Sequence, residues 1–193
     1  MGLTIHYQGA VDRTELLPKL INELKDIALA MNWETEMINE DQPDPHFKGI
    51  IINPSDGCEP LSFVFDQSGR LRCLADLIIE QVEFTETSGF CFTKTQFASV
   101  DTHIWITGLL RYLKKHYMSN LRVNDEGEYW ETEDRKALIE KKEFLQNTID
   151  HLAERLQSTD FHGSPHSLND IIAHIEKIVR RTDRGGSEAE EQS

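Results

Sequence analysis

At 193 residues the chain has room for one full domain and an appendage, with no stretch of 18 apolar residues that would span a bilayer. Its 34 acidic and 20 basic residues give a net charge of −14, which disfavours binding to a phosphate backbone or to an anionic membrane. The three cysteines, Cys58, Cys73 and Cys91, form no C-x-x-C pair, and this reads as reduced core thiols in a cytoplasm-like compartment.

The alternation of Leu3–Tyr7 predicts a short strand. Asp12 or Thr14 would cap the helix that follows, in which Leu17, Leu20, Ile21, Leu24, Ile27, Ala28 and Met31 form one apolar stripe. Pro18 fits only near the start of that helix. Strands are expected at Trp33–Ile38 and Ile50–Ile52, separated by the Pro43 and Pro45 loop. Leu61–Phe65 and Arg70–Leu74 read as a hairpin closed by Asp66-Gln67-Ser68-Gly69. Leu77–Glu83 is ambiguous, and Phe90–Phe97 is the last strand of the block, with Phe90, Phe92 and Lys94 on one face.

A second helix, capped by Ser99 or Asp101, buries Ile106, Leu109, Leu110, Leu113 and Tyr117 and turns Arg111, Lys114, Lys115 and His116 outward. Leu121–Val123 and Tyr129-Trp130 suggest a small hairpin. A third helix near Arg135–Leu156 carries Leu138, Leu145, Ile149, Leu152 and Leu156 at near-heptad spacing. Ser167-Leu168-Asn169-Asp170 signals a fourth helix, and the segment from Arg180 lacks apolar residues and reads as disordered.

This order, β-α-β4/5-α, implies an α+β domain over residues 1–131. It would hold a single antiparallel sheet of about five or six strands covered by two helices. A helical appendage would fill 132–182 and an acidic tail 183–193. Over the first 118 residues the order is similar to that of the TATA-box-binding-protein-like fold and, more loosely, to helix-grip folds. That likeness implies shape and not activity.

No phosphate loop, dinucleotide fingerprint, zinc-protease motif or nucleophile elbow occurs. His162 and His166 have chelating spacing but lie in a loop that reads as a linker. The acidic run Asp125–Asp134 does not match a calcium loop, because Gly127 would put Arg122 at the first ligand position. Neither a metal nor a cofactor is called for. Polar groups near strand and helix ends that could line a pocket are His6, Lys94, Asp101, His103 and Glu128. Tyr129 and Trp130 could anchor a partner. The sequence therefore favours a soluble, cytoplasmic, non-catalytic binding or adaptor protein, with a protein partner or self-association through the C-terminal helices. The alternatives are an enzyme or small-ligand binder with a pocket between sheet and helices and, disfavoured by charge, a nucleic-acid binder.

Overall fold

The computed structural model describes residues 3–38, 46–54, 57–73 and 90–158. The chain divides into two units, Met1–Leu145 and Gln146–Ser193, and the sheets and helices below lie in the first except where α4 runs on. The ambiguous segment at Leu77–Glu83, the fourth helix and the tail fall outside the described residues.

The protein is mixed α+β with antiparallel sheets. Strand β1 (Thr4–Gln8) turns Ile5 and Tyr7 inward and leaves Thr4, His6 and Gln8 partly exposed, as a period of two requires. A 3-10 turn at Thr14–Leu16 leads into α1 (Leu17–Ala30), which buries Leu20, Ile21, Leu24 and Ala28. Neither expected residue caps it. Arg13 precedes the 3-10 turn and Leu16 precedes α1, neither with a side-chain capping bond, and the Asp12 carboxylate accepts from Ser119 N and Oγ instead. The loop before α1 is thereby tied to the loop after the second helix, a partner 107 residues away.

Strands β2 (Glu34–Ile38), β3 (Phe47–Asn53), β4 (Leu61–Asp66) and β5 (Leu71–Arg72) form one four-stranded antiparallel sheet in that order. The β3–β4 pairing requires glycine at position 49, since a Cβ there would lie 2.2 Å from Phe63 O. The expected β4–β5 hairpin forms around Gly69, whose φ of 79° suits glycine. Asp66 organises this turn by accepting from Ser68, Arg70 and Arg72. Burial works to raise its carboxyl, but the bonds from Ser68 and Arg72 outweigh that and hold it below the usual range.

The remaining strands build a second sheet of three, with β1 between β6 (Cys91–Lys94) and β7 (Arg122–Asp125). Among the described residues the strands therefore form two sheets and not the expected single one. Strand β6 occupies one edge of β1 over residues 4–7 and β7 the other over residues 5–8, so the four-stranded sheet reaches the chain only at the next residues. Leu71 N donates to Gly9 O and Val11 N to Gly69 O, each at 2.9 Å. A second seam joins Glu59 N to Lys94 O. Between the seams the Tyr7 hydroxyl accepts from Ser62 N at 2.9 Å and donates to Ser62 O at 3.1 Å.

Helix α2 (Val100–His116) follows its expected cap, Ser99, whose Oγ accepts from Thr102 N. It buries Ile106, Leu109, Leu110 and Leu113. Gly108 is exposed on this helix, and a Cβ there would meet nothing within 4 Å. Gly108→Ala is therefore expected to raise stability by about 0.5–1 kcal/mol through lost chain entropy, read as a higher urea midpoint with unchanged slope. A lower midpoint would refute the open-space reading.

The small hairpin expected at 121–130 does not form. Its first half, β7, pairs with β1, and Tyr129–Thr132 makes one helical turn, α3, flanked by left-handed Glu128 and Glu133. A distant strand offered a better edge than the local one. Helix α4 (Arg135–Ser158) appears where expected, with Leu138 and Leu145 buried and Ile149 partly so.

Candidate interaction face and the polar brace beneath it

The three-stranded sheet has two unlike faces. On the outer one the register sets His6 between Phe92 and Asn124, Thr4 beside Lys94, and Gln8 beside Arg122. Phe90 directly precedes β6, and the period of two assigns it to the side of Phe92. Phe90 is 47% and Phe92 56% exposed. The His6 and Phe92 ring centroids are 6.2 Å apart. Glu126 closes the β7 column: its N–H donates to Thr4 O, one carboxylate oxygen accepts from Thr4 N, and the other lies 3.7 Å from His6 Nε2. Lys94 Nζ sits 5.9 Å from the ring of Phe97, itself exposed. Two of the candidate pocket residues, His6 and Lys94, are thus brought onto one open face that also carries two phenyl rings.

On the inner face His103 reaches from α2 into the core. Its side chain has no exposed surface, and neither has that of Asp125. His103 Nε2 lies 3.1 Å from Asp125 Oδ2, and Nδ1 lies 2.8 Å from Thr95 Oγ1. An ionised carboxylate only accepts, so Nε2 carries the proton in this pair. With Nε2 protonated, Nδ1 accepts the single Thr95 hydroxyl proton, and Leu3 O, 3.2 Å from that hydroxyl, is served by Thr95 N at 2.8 Å; Asp125 accepts from Gly127 N and Trp130 N. Burial acts to raise the Asp125 carboxyl; the bond and charge of His103, with the two backbone donors, outweigh it and hold the group below its ordinary range. Gly127 leaves room for this packing, since a Cβ would lie 2.9 Å from both His103 Cε1 and Leu138 Cδ1.

Hydroxyl, imidazole and carboxylate in series have the composition of a nucleophilic relay. Here the hydroxyl lies at a residue with no exposed surface, where no substrate atom can approach it. The series acts as a brace that ties β6, α2 and β7 together through satisfied buried polar groups.

The other candidates lie apart from both groups. Asp101 pairs with Arg135, whose hydrogen bond and charge hold its carboxyl below the usual range. Glu128 pairs with Lys141 at 2.9 Å. Lys142 Nζ donates to Thr95 O at 2.6 Å, and partial burial pushes its amine down. All three contacts fasten the start of α4. Tyr129 and Trp130 are half-buried. Tyr129 meets His103 edge-on, and Trp130 packs against the core with the Arg111 guanidinium 4.8 Å over its ring. Sequence reasoning missed Thr95 and Asp125; the first looked like part of a polar strand end and the second like a turn residue. Among the described residues no group of three His, Cys, Asp or Glu side chains could hold a metal ion, and no helix is long and apolar enough to cross a membrane. No family model matches the chain, nor does any curated protein or solved structure compared with it.

Proposed function

We propose that this chain is a non-catalytic binding protein that acts through protein–protein contact at the outer face of the β6-β1-β7 sheet. The observation that carries the proposal is the exposure of Phe90 and Phe92 beside His6 on one open sheet face. Exposed aromatic clusters rimmed by polar groups mark interaction sites, and interface cores are enriched in aromatic residues. The net charge of −14 favours a protein over a nucleic acid as the occupant. A reducing, cytoplasm-like setting fits the cysteine pattern.

Association through the C-terminal helices, the other route offered by the sequence, has less support. Leu138 and Leu145, which begin the near-heptad stripe, are buried within the first unit. An enzyme with a pocket between sheet and helices would need His6, Lys94, Asp101, His103 and Glu128 around one cavity. They divide between two faces of a sheet and two surface ion pairs. The likeness in element order to the TATA-box-binding-protein-like fold stays at the level of order.

The test is cross-linking and affinity purification from the source cells with quantitative mass spectrometry, comparing the protein with its Phe90→Ser/Phe92→Ser variant. A partner recovered by the first is expected to fall roughly tenfold or more with the second, the scale of losing an aromatic anchor. Both forms should unfold at similar urea concentrations, because the rings are exposed. Equal recovery by both would overturn the proposal.

A further inference from the structure

We infer that the partner on this face is a second copy of the same chain, held in a weak, reversible two-fold dimer. The inference rests on the binding reading above and names its occupant.

The carrying observation is the arrangement of side chains in the three outer columns. In register the β6 column reads Phe92, Lys94, the β1 column Gln8, His6, Thr4, and the β7 column Arg122, Asn124, Glu126; carrying the period of two one residue past β6 adds Phe90 to the row of Gln8. A two-fold axis parallel to β1 lays the β6 column of one copy over the β7 column of the other. Each row then meets itself reversed. Lys94 faces the second copy's Glu126, Phe92 faces its Asn124, and Phe90 faces its Arg122. Every one of these contacts occurs twice. The first is an opposite-charge pair and the last is a guanidinium over a phenyl ring.

An isologous interface requires one patch that complements itself about an axis, and most surfaces do not. A face with one cation and one anion at opposite ends of a row, and a cation and an aromatic at opposite ends of another, meets that requirement. The middle column meets itself with Gln8, His6 and Thr4, which are polar and partly exposed. Sheets packed face to face keep their strands within about 30°, so the native twist leaves the row pairing in reach.

The size of the face sets the strength. Three strands and five residues cover roughly 14 by 17 Å on ordinary strand spacings. That is well short of the ~800 Å² per partner of a stable complex, so the dimer is concentration-dependent. Two copies at −14 repel one another overall. At about 0.15 M salt the screening length is ~8 Å, which suppresses this repulsion more than it weakens pairs in contact.

The experiment is sedimentation velocity of the full chain in that salt, from about 1 µM to about 500 µM, a range that spans weak association. The wild type is expected to move from monomer to dimer across it. Lys94→Glu sets two acids opposite each other and Glu126→Lys two lysines. Each variant alone is expected to dimerise at least about tenfold more weakly. An equimolar mixture of the two restores opposite charges at both places and is expected to recover dimer close to the wild-type level. Urea midpoints confirm that each variant is folded.

A wild type that stays monomeric throughout, or single variants that associate like the wild type, would overturn the inference. So would a mixture that fails to recover dimer. If the wild type is monomeric while the Phe90→Ser/Phe92→Ser variant still loses a different protein in the cross-linking test, the binding reading stands and the second copy is wrong. If neither assay responds, both fail.

Discussion

Replacing Asp125 by alanine is expected to destabilise the protein by about 3–5 kcal/mol, because it leaves the partners of a buried charged group without their acceptor. The carboxylate is reached by three donors: His103 Nε2, Gly127 N and Trp130 N. Alanine supplies none of that acceptance, and water cannot enter a place with no exposed surface. Asp125→Asn keeps the shape but puts an amide NH2 against donors, so its cost is expected to be smaller, about 1–3 kcal/mol. Urea unfolding reads both. A loss under ~1 kcal/mol in Asp125→Ala would show that the brace contributes little.

The same carboxylate predicts a pH dependence whose sign follows from its lowered folded value. The unfolded chain releases this proton at about 3.9, above the folded value, so between the two the unfolded state binds more protons. Stability therefore rises with pH across that window. The contribution is complete above the unfolded value and is lost as pH falls through the folded one. The wild type and Asp125→Ala should accordingly converge in stability as the solution is acidified below the ordinary carboxylate range. Asp66, also held low, adds a slope of the same sign that the variant retains.

Tyr7→Ala is the second substitution with a large expected effect, about 3–5 kcal/mol for the cavity left by a buried aromatic ring. Tyr7 has no exposed surface, and its ring lies 5.7 Å from that of Phe63, between the two sheets. Its hydroxyl serves one residue twice, accepting from Ser62 N and donating to Ser62 O. Burial, with the nearby Cys91 thiol, pushes the phenol well above its usual range, so it stays protonated and able to donate. Tyr7→Phe separates the two parts. It keeps the ring and orphans a buried N–H and C=O, for an expected loss of about 1–3 kcal/mol. Equal stability of Tyr7→Phe and wild type would mean that water satisfies Ser62, and that the hydroxyl does not join the sheets.

Much of the first unit was legible in local pattern. The 3.6-residue stripe from Leu17 to Met31 locates α1, and Ser99 with its acceptor role locates the start of α2. Alternation finds β1, β2 and β4, and the Asp66–Gly69 turn pairs β4 with β5. These features depend on neighbours a few residues away, which a sequence displays directly. The partners of Asp12, Tyr7 and β7 lie 107, 55 and more than 100 residues off, and no local pattern announces them. For the same reason element order did not foretell the two sheets seen among the described residues: it does not say that β1 would be enclosed on both edges.

The residues 90–95 make the boundary plain. A period of two sorts them into Phe90, Phe92, Lys94 and Cys91, Thr93, Thr95, and that sorting was correct. Hydropathy alone would bury the phenylalanines. The structure buries Cys91, Thr93 and Thr95 and exposes Phe90 and Phe92, because β6 pairs with β1 in a register that sets Cys91 beside Tyr7 and Thr93 beside Ile5. The sequence by itself determined which side chains share a face. Only the tertiary pairing decided which face meets the core, since inward residues of adjacent strands must lie on one side of the sheet, and Ile5 and Tyr7 had already chosen it.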